Sequence, residues 1–123
     1  MTVLNLALRL HNPAYQLHVP AFFLLELGNI VCKKLRRQEI SLEVSELIIN
    51  EIQNVSLKWH PDEPLFPKAF EIANETGRSL YDCLYLSLAV SLDAQMVTAD
   101  LRFYNALKDG DYRAKLLWIE EIP

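Results

Sequence analysis

The sequence predicts an α/β domain built around a parallel sheet. Short runs with strand character alternate with longer helical stretches along the chain, an order typical of parallel α/β folds. The chain has 123 residues, of which 51% are hydrophobic and 23% are charged, enough for one domain with its own core. The stretch Arg78–Asp100 contains a turn, an apolar helix, a loop and a strand that stops at an acid. We therefore predict a single domain over residues 1–123, organised around this stretch.

The opening segment is compatible with two structures. Its leucines recur at alternate positions, which suits a strand, and also four residues apart, which suits a helix equally well. These leucines are Leu4, Leu6, Leu8 and Leu10. Asn12-Pro13 ends whichever element forms.

Four strands are predicted after this segment. They are Tyr15–Val19, Val55–Trp59, Gln95–Thr98 and Lys115–Ile119. The first is expected to end at Pro20 and the second at His60-Pro61, because proline does not donate to a strand ladder.

The first two helices carry recognisable start signals. Pro20 is placed to open a helix over Ala21–Arg37, because its fixed φ suits a first helical turn. Ser41 is the predicted N-cap of a helix that runs to Asn54.

Two further helices follow the second strand and the third strand. Pro67 is expected in the first turn of a helix through Thr76, with Gly77 as its left-handed C-terminal cap. A short helix over Leu101–Leu107 is stopped by Asp109-Gly110.

Two acids flank the central helix and the strand after it. Leu80–Leu92 is apolar on nearly every side, so Asp82 in its first turn is out of place unless a partner holds it. Asp100 follows the strand Gln95–Thr98. The carboxyl ends of parallel strands form the edge where open α/β folds place their sites, and both acids are predicted to meet there.

Each acid also has a structural explanation. An Asp in a first helical turn often binds free backbone N–H groups, and an Asp after a strand often lies in a turn. For Asp82 this explanation is weaker, because Ser79 is better placed as the cap. Two acids at one edge without a structural task favour a metal site.

A third acid lies in the first long helix. Glu26 is flanked by apolar residues, and Asn29 follows on the same helical face three residues later. A carboxylate in an apolar helix needs a partner or a metal, but Glu26 could equally lie on the helix's narrow exposed side. The basic residues that end this helix suit the helix dipole or, alternatively, RNA phosphates.

Composition limits the other function classes. The net charge of −4 argues against a surface that binds nucleic acid by overall charge, so an RNA contact requires a local basic patch. No apolar run reaches the roughly 18 residues that span a membrane, and no signal-like segment is found, which predicts a cytoplasmic protein. Cys32 and Cys83 lie in apolar helical stretches and are predicted to be buried thiols. His11, His18 and His60 are interpreted as surface or edge residues rather than ligands.

Three short motifs occur in a fixed order. They are Pro20…Glu26-x-x-Asn29 in a helix, Ser79-x-Tyr81-Asp82 at a helix start and Thr98-Ala99-Asp100 at a strand end. Over about Tyr15 to Ile119 the chain resembles PIN-domain proteins, most closely the VapC-type toxins of toxin–antitoxin pairs. The resemblance implies a three-layer α/β/α fold and a ribonuclease that depends on Mg²⁺ or Mn²⁺.

The resemblance also implies roles for individual residues. Glu26, Asp82 and Asp100 would be the catalytic and metal-site acids, and Asn29, Ser79 and Thr98 would support them. The residues implied to contact RNA are Lys33, Lys34, Arg36, Arg37, Arg78 and Arg102. Carboxylates are the hard oxygen ligands that Mg²⁺ and Mn²⁺ prefer. A VapB-like antitoxin and a homodimer are the implied partners.

The chain departs from the family at its beginning. PIN domains open with a strand that ends in an Asp, whereas the first Asp here is Asp62. The first strand and its acid are therefore expected to be absent, which would leave the PIN-like domain of residues 1–123 incomplete at its N-terminus. The chain could start at an internal Met of a longer gene, or be a degenerate relative. Alternatively, Val3–Leu10 could take the place of the first strand, with Asn5 near the position of the absent acid. Asn5 would offer a carbonyl oxygen without a charge.

Two functions follow from these observations. The first is a metal-dependent endoribonuclease that hydrolyses RNA phosphodiester bonds. The alternative is a catalytically inactive or truncated PIN domain that binds an antitoxin or another partner through the apolar helix Phe22–Val31. Affinity for a divalent metal distinguishes the two. A receiver-type or flavodoxin-like domain is less favoured, because no glycine-rich phosphate loop is found among the three glycines.

Overall fold

The structure is a computed structural model that describes residues 12–123. Its strands are β1 (Leu17–Pro20), β2 (Leu57–His60), β3 (Met96–Thr98) and β4 (Leu116–Trp118). Its helices are α1 (Phe23–Arg36), α2 (Leu42–Asn54), α3 (Phe66–Thr76), α4 (Leu80–Leu92) and α5 (Leu101–Leu107). Short 3₁₀ turns occupy Glu63–Leu65, Arg113–Lys115 and Ile119–Glu121. The predictions for Leu4–Leu10, Asn5 and His11 lie outside the described residues.

The described strands form two parallel pairs, which confirms the predicted α/β class. β1 pairs with β2, so that Leu17 lies opposite Leu57 and Pro20 opposite His60. β3 pairs with β4 in the same sense. The described chain divides into two compact units, an N-terminal unit of residues 12–60 and a C-terminal unit of residues 61–123. The prediction of a single domain over residues 1–123 stays a prediction.

Pro20 does not open the first helix, so that prediction is wrong. It is the last residue of β1 and is buried, and α1 begins three residues later, at Phe23. The backbone N–H of Ala21 donates to the carbonyl of His60 at 2.7 Å, so the chain stays paired with β2 one residue beyond the strand. Proline is tolerated there because the N–H that pairs with β2 belongs to Ala21, and not to Pro20, which has none.

The other helix ends follow the sequence signals. Ser41 Oγ accepts the backbone N–H of Val44 at 3.1 Å and caps α2. Gly77 ends α3 with a φ of 69°, the left-handed conformation that glycine adopts without a steric cost. These predictions are confirmed, because each depends on bonds between residues only a few positions apart.

The C-terminal unit is packed around α4. Leu86 and Cys83 of α4 are fully buried, as are Ala69 and Ile72 of α3. The hydroxyl of Ser87, which is also buried, donates to the carbonyl of Leu65 at 2.8 Å. The helix α4, which is apolar on nearly all sides, is thus largely buried, as its sequence predicted.

The N-terminal unit buries less of its apolar surface. Val31 of α1 is buried, whereas the neighbouring Cys32 is exposed, so the prediction of a buried thiol is right for Cys83 and wrong for Cys32. Successive residues of a helix point about 100° apart, so an apolar neighbour does not ensure burial. Among the helices of residues 12–123, none combines the length and the apolar character that a membrane span requires.

Candidate metal and nucleic-acid site

Asp82 lies in the first turn of α4 with its carboxylate not used as the helix cap. Ser79 has that task, because its Oγ accepts the backbone N–H of Asp82 at 3.1 Å. Asp82 is half-buried. The side chain of an acid that does not cap its own helix is available for another partner.

Asp100 has a structural task as well as a candidate functional one. Its backbone N–H donates to Thr98 Oγ1 at 3.1 Å, which fixes the turn at the end of β3. One carboxylate oxygen, Oδ1, accepts the backbone N–H of Phe103 at 3.1 Å, so Asp100 is the N-cap of α5. The structural explanation that the sequence left open therefore applies to Asp100, and it uses one of the two carboxylate oxygens.

Glu26 and Asn29 lie in the N-terminal unit, on α1. Glu26 is half-buried in the first turn of the helix, and Asn29 is exposed. The spacing of three residues places both side chains on one side of α1.

Arg78 precedes the cap of α4 and has a buried donor. Its Nε is buried and has no hydrogen-bond partner within residues 12–123. A buried N–H without a partner costs about 1–3 kcal/mol. The charge of Arg78 also affects the Cys83 thiol in α4. Burial raises the pKa of this thiol, and the nearby charge of Asp82 raises it further. A hydrogen bond with Thr76 and the positive charge of Arg78 lower it.

The predicted RNA-binding cations of α1 lie at its C-terminal end and are exposed. They are Lys33, Lys34, Arg36 and Arg37. Lys34 Nζ lies 3.4 Å from Glu39 Oε2, a solvent-exposed pair of small energetic weight. Arg102 is exposed in the first turn of α5. Their exposure suits both a solvated helix end and a contact with phosphates.

The sequence matches the PIN domain family over residues 4–108. The chain belongs to the PIN domain family. The comparison with curated proteins finds no match. Membership supports nuclease-type activity in general, and PIN domains generally use divalent metal ions. The fold predicted from the resemblance, an α/β fold of the PIN type, is shown by this match and by the parallel strands.

The donor chemistry of this PIN domain fits a hard divalent cation only in part. Carboxylate oxygens are the ligands that Mg²⁺ and Mn²⁺ prefer, and Asp82 and Asp100 supply them from the same unit. Within residues 12–123, however, no three His, Cys, Asp or Glu side chains lie close enough to share an ion. The described residues thus provide the ligand types without an assembled three-ligand group.

The best-formed pockets of the PIN domain lie away from the predicted acids. One, of about 310 Å³, is lined by Ser45, Glu46, Ile49 and Asn50 of α2. The other, of about 320 Å³, lies in the C-terminal unit, and its lining includes Glu75 and Tyr112. Neither is lined by Glu26, Asp82 or Asp100.

Sequence analysis missed the proximity of two histidines. His18 Nδ1 and His60 Nε2 lie 2.8 Å apart on the neighbouring strands β1 and β2. The signal was present, because both residues fall at the ends of consecutive predicted strands, and consecutive strands of an α/β fold are often neighbours.

Proposed function

We propose that this PIN domain is a metal-dependent endoribonuclease of the VapC type that hydrolyses RNA phosphodiester bonds. One observation, besides family membership, carries the proposal. In the motifs Ser79–Asp82 and Thr98–Asp100, the hydroxyl accepts the backbone N–H of the acid. Each acid is thereby held at the end of its helix or strand by the residue that the family motif pairs with it.

Asp82 and Asp100 of the C-terminal unit are the proposed ligands of Mg²⁺ or Mn²⁺, and Glu26 of the N-terminal unit is proposed separately as a metal-site acid. When bound, such an ion neutralises charge that develops on the scissile phosphate and makes a water more nucleophilic. The carboxylates supply the negative charge that retains the ion. Ser79, Thr98 and Asn29 orient them. No Cys, Ser or His nucleophile is required.

Arg78 and the exposed cations position the RNA. Arg78 is half-buried beside the cap of α4, and its guanidinium group is proposed to contact a phosphate. The four cations at the end of α1 and Arg102 add contacts to the backbone. Such contacts fix register and affinity but do not specify sequence.

The proposed partners are a VapB-like antitoxin and a second copy of the chain, in the cytoplasm. Support comes from apolar side chains that α1 leaves exposed, Leu24, Leu25 and Ile30. Exposed apolar patches on soluble proteins commonly mark surfaces that bind other proteins.

The decisive experiment is cleavage of a labelled, structured RNA in Mn²⁺, before and after chelation with EDTA. Asp82→Asn and Asp100→Asn should each reduce the rate by about 100-fold or more, equivalent to roughly 3 kcal/mol of lost transition-state stabilisation. Asn is a good N-cap, so Asp100→Asn keeps the cap of α5 and removes the charge. Asp111→Asn, an exposed acid of the same unit, is the matched control and should retain activity.

The outcomes separate the candidate functions. A fully active Asp82→Asn variant would show that the assigned acids do not form the site. Absence of cleavage by the folded chain would favour the inactive PIN domain that acts by binding a partner.

A second experiment tests the basic end of α1. Lys33→Ala/Lys34→Ala should weaken RNA binding and lower the slope of log K against log salt by about one to two. The slope is measured by filter binding at several salt concentrations, with Lys108→Ala, an exposed lysine after α5, as the control. An unchanged slope would assign Lys33 and Lys34 to the helix dipole alone.

A further inference from the structure

We propose that His18 and His60 form a binding site for a transition-metal ion of the zinc class. The site is chemically distinct from the carboxylates of the proposed nuclease centre and does not depend on that function. His18 Nδ1 and His60 Nε2 are 2.8 Å apart, and the ring centroids are separated by 5.0 Å. Both residues belong to the N-terminal unit.

The contact requires that the two rings share a proton. A nitrogen–nitrogen hydrogen bond needs one donor and one acceptor, so at least one imidazole is neutral when the bond is formed. Neutral imidazole is the form that binds metals, and an ion that joins the two nitrogens displaces the shared proton to solvent or to the other nitrogen of the same ring.

The backbone fixes the two rings at a suitable separation. β1 and β2 are parallel neighbours in which His18 lies opposite Lys58 and Pro20 opposite His60. Zn–N bonds of about 2.0–2.1 Å in tetrahedral geometry place two ligating nitrogens about 3.4 Å apart. The present separation of 2.8 Å therefore needs to widen by only about half an ångström, which ring rotation supplies without a change in the strands.

The ligand set selects the class of ion. Imidazole nitrogens suit Zn²⁺, Cu²⁺ and Ni²⁺, whereas Mg²⁺ prefers oxygen ligands. Residues 12–123 provide no third His, Cys, Asp or Glu that could join the pair. Water completes the coordination, so the site is open and its affinity is moderate. Because the ligands come from different strands, an ion bound to both favours the folded N-terminal unit.

Calorimetric titration with Zn²⁺ tests the proposal. The protein carries no histidine tag, Cys32→Ser removes an exposed thiol that would compete for zinc, and excess Mg²⁺ occupies oxygen sites. One equivalent of Zn²⁺ should bind, and His18→Gln or His60→Gln should weaken binding at least tenfold. Lys58→Gln, which keeps both ligands and removes the neighbouring charge, is the matched control and should bind as tightly or more tightly.

A second measurement avoids substitution of the histidines. In the Cys32→Ser protein labelled with ¹⁵N, the ring nitrogens of His18 and His60 should shift together on addition of Zn²⁺ and remain unchanged with Mg²⁺. Ring signals that stay in place at saturating Zn²⁺ would overturn the site, as would equal Zn²⁺ affinity in folded His18→Gln and His60→Gln variants. RNA cleavage does not enter either readout, so this proposal and the nuclease proposal stand or fall separately.

Discussion

The N-terminal and C-terminal units contain the same kinds of element but bury different shares of their apolar side chains. Both units have a pair of parallel strands and at least two helices. In the C-terminal unit Leu86 is fully buried and Phe103 is 2% exposed. In the N-terminal unit Leu25 and Leu47 are 78% and 62% exposed. The difference shows that apolar content predicts helices in both units but a packed core only where facing elements cover it.

The largest expected effect on the free energy of unfolding comes from removing a core side chain of α4. Leu86→Ala should lower the free energy of unfolding by about 2–5 kcal/mol, because it opens a cavity at a fully buried position. The matched variant Leu47→Ala, at an exposed position of α2, should change it by less than about 0.5 kcal/mol. Urea denaturation followed by circular dichroism measures both. Equal costs for the two substitutions would contradict the comparison.

A smaller effect is expected from the buried hydroxyl of α4. Ser87→Ala removes a buried hydrogen bond to the carbonyl of Leu65 and should cost about 0.5–1.5 kcal/mol. Ser91 lies on the same helix, but it is exposed and its hydroxyl donates to the carbonyl of Leu88 in its own helix. Ser91→Ala should therefore be nearly neutral in the same denaturation experiment. A neutral Ser87→Ala would show that water satisfies the Leu65 carbonyl.

The smallest expected effect is a pH dependence of the free energy of unfolding that arises from His18 in the N-terminal unit. The pKa of His18 lies below its ordinary value of 6.5. At a pH between the lowered pKa of folded His18 and 6.5, His18 is mostly protonated in the unfolded state and mostly neutral in the folded state, so the unfolded state binds more protons. The free energy of unfolding therefore has its full value, as far as His18 is concerned, above pH 6.5. It decreases as the pH falls through 6.5 towards the pKa of His18 in the folded state.

Tryptophan fluorescence can isolate this pH effect. The chain has two tryptophans, Trp59 in the N-terminal unit and Trp118 in the C-terminal unit, so a Trp118→Phe background makes Trp59 the reporter. Urea midpoints between pH 7.5 and 5.5 should fall with pH, and His18→Gln should flatten the dependence. A midpoint that rose on acidification would contradict the assigned direction of the pKa shift.

Much of the fold could be predicted because its signals are local. The caps at Ser41 and Ser79 and the left-handed turn at Gly77 depend on hydrogen bonds between residues a few positions apart. The motifs around Asp82 and Asp100 were visible for the same reason, since each acid bonds to a hydroxyl two or three residues before it.

The candidate site was only partly predictable. Sequence analysis left open whether Asp100 had a structural role, and the structure makes it the cap of α5. The buried Nε of Arg78 was not foreseen, because burial of one atom of a long side chain depends on how neighbouring elements pack. Roles for Glu26, Asp82 and Asp100 in binding an ion stay predictions.

The sequence by itself determined which segments are helices and strands, where most helices end, and which family the chain belongs to. Tertiary structure alone decided that Cys32 is exposed and that His18 meets His60. The physical reason is the range of the interactions. A helix cap is formed within one turn, whereas the two histidines are 42 residues apart in the chain and meet only because parallel pairing places β1 beside β2.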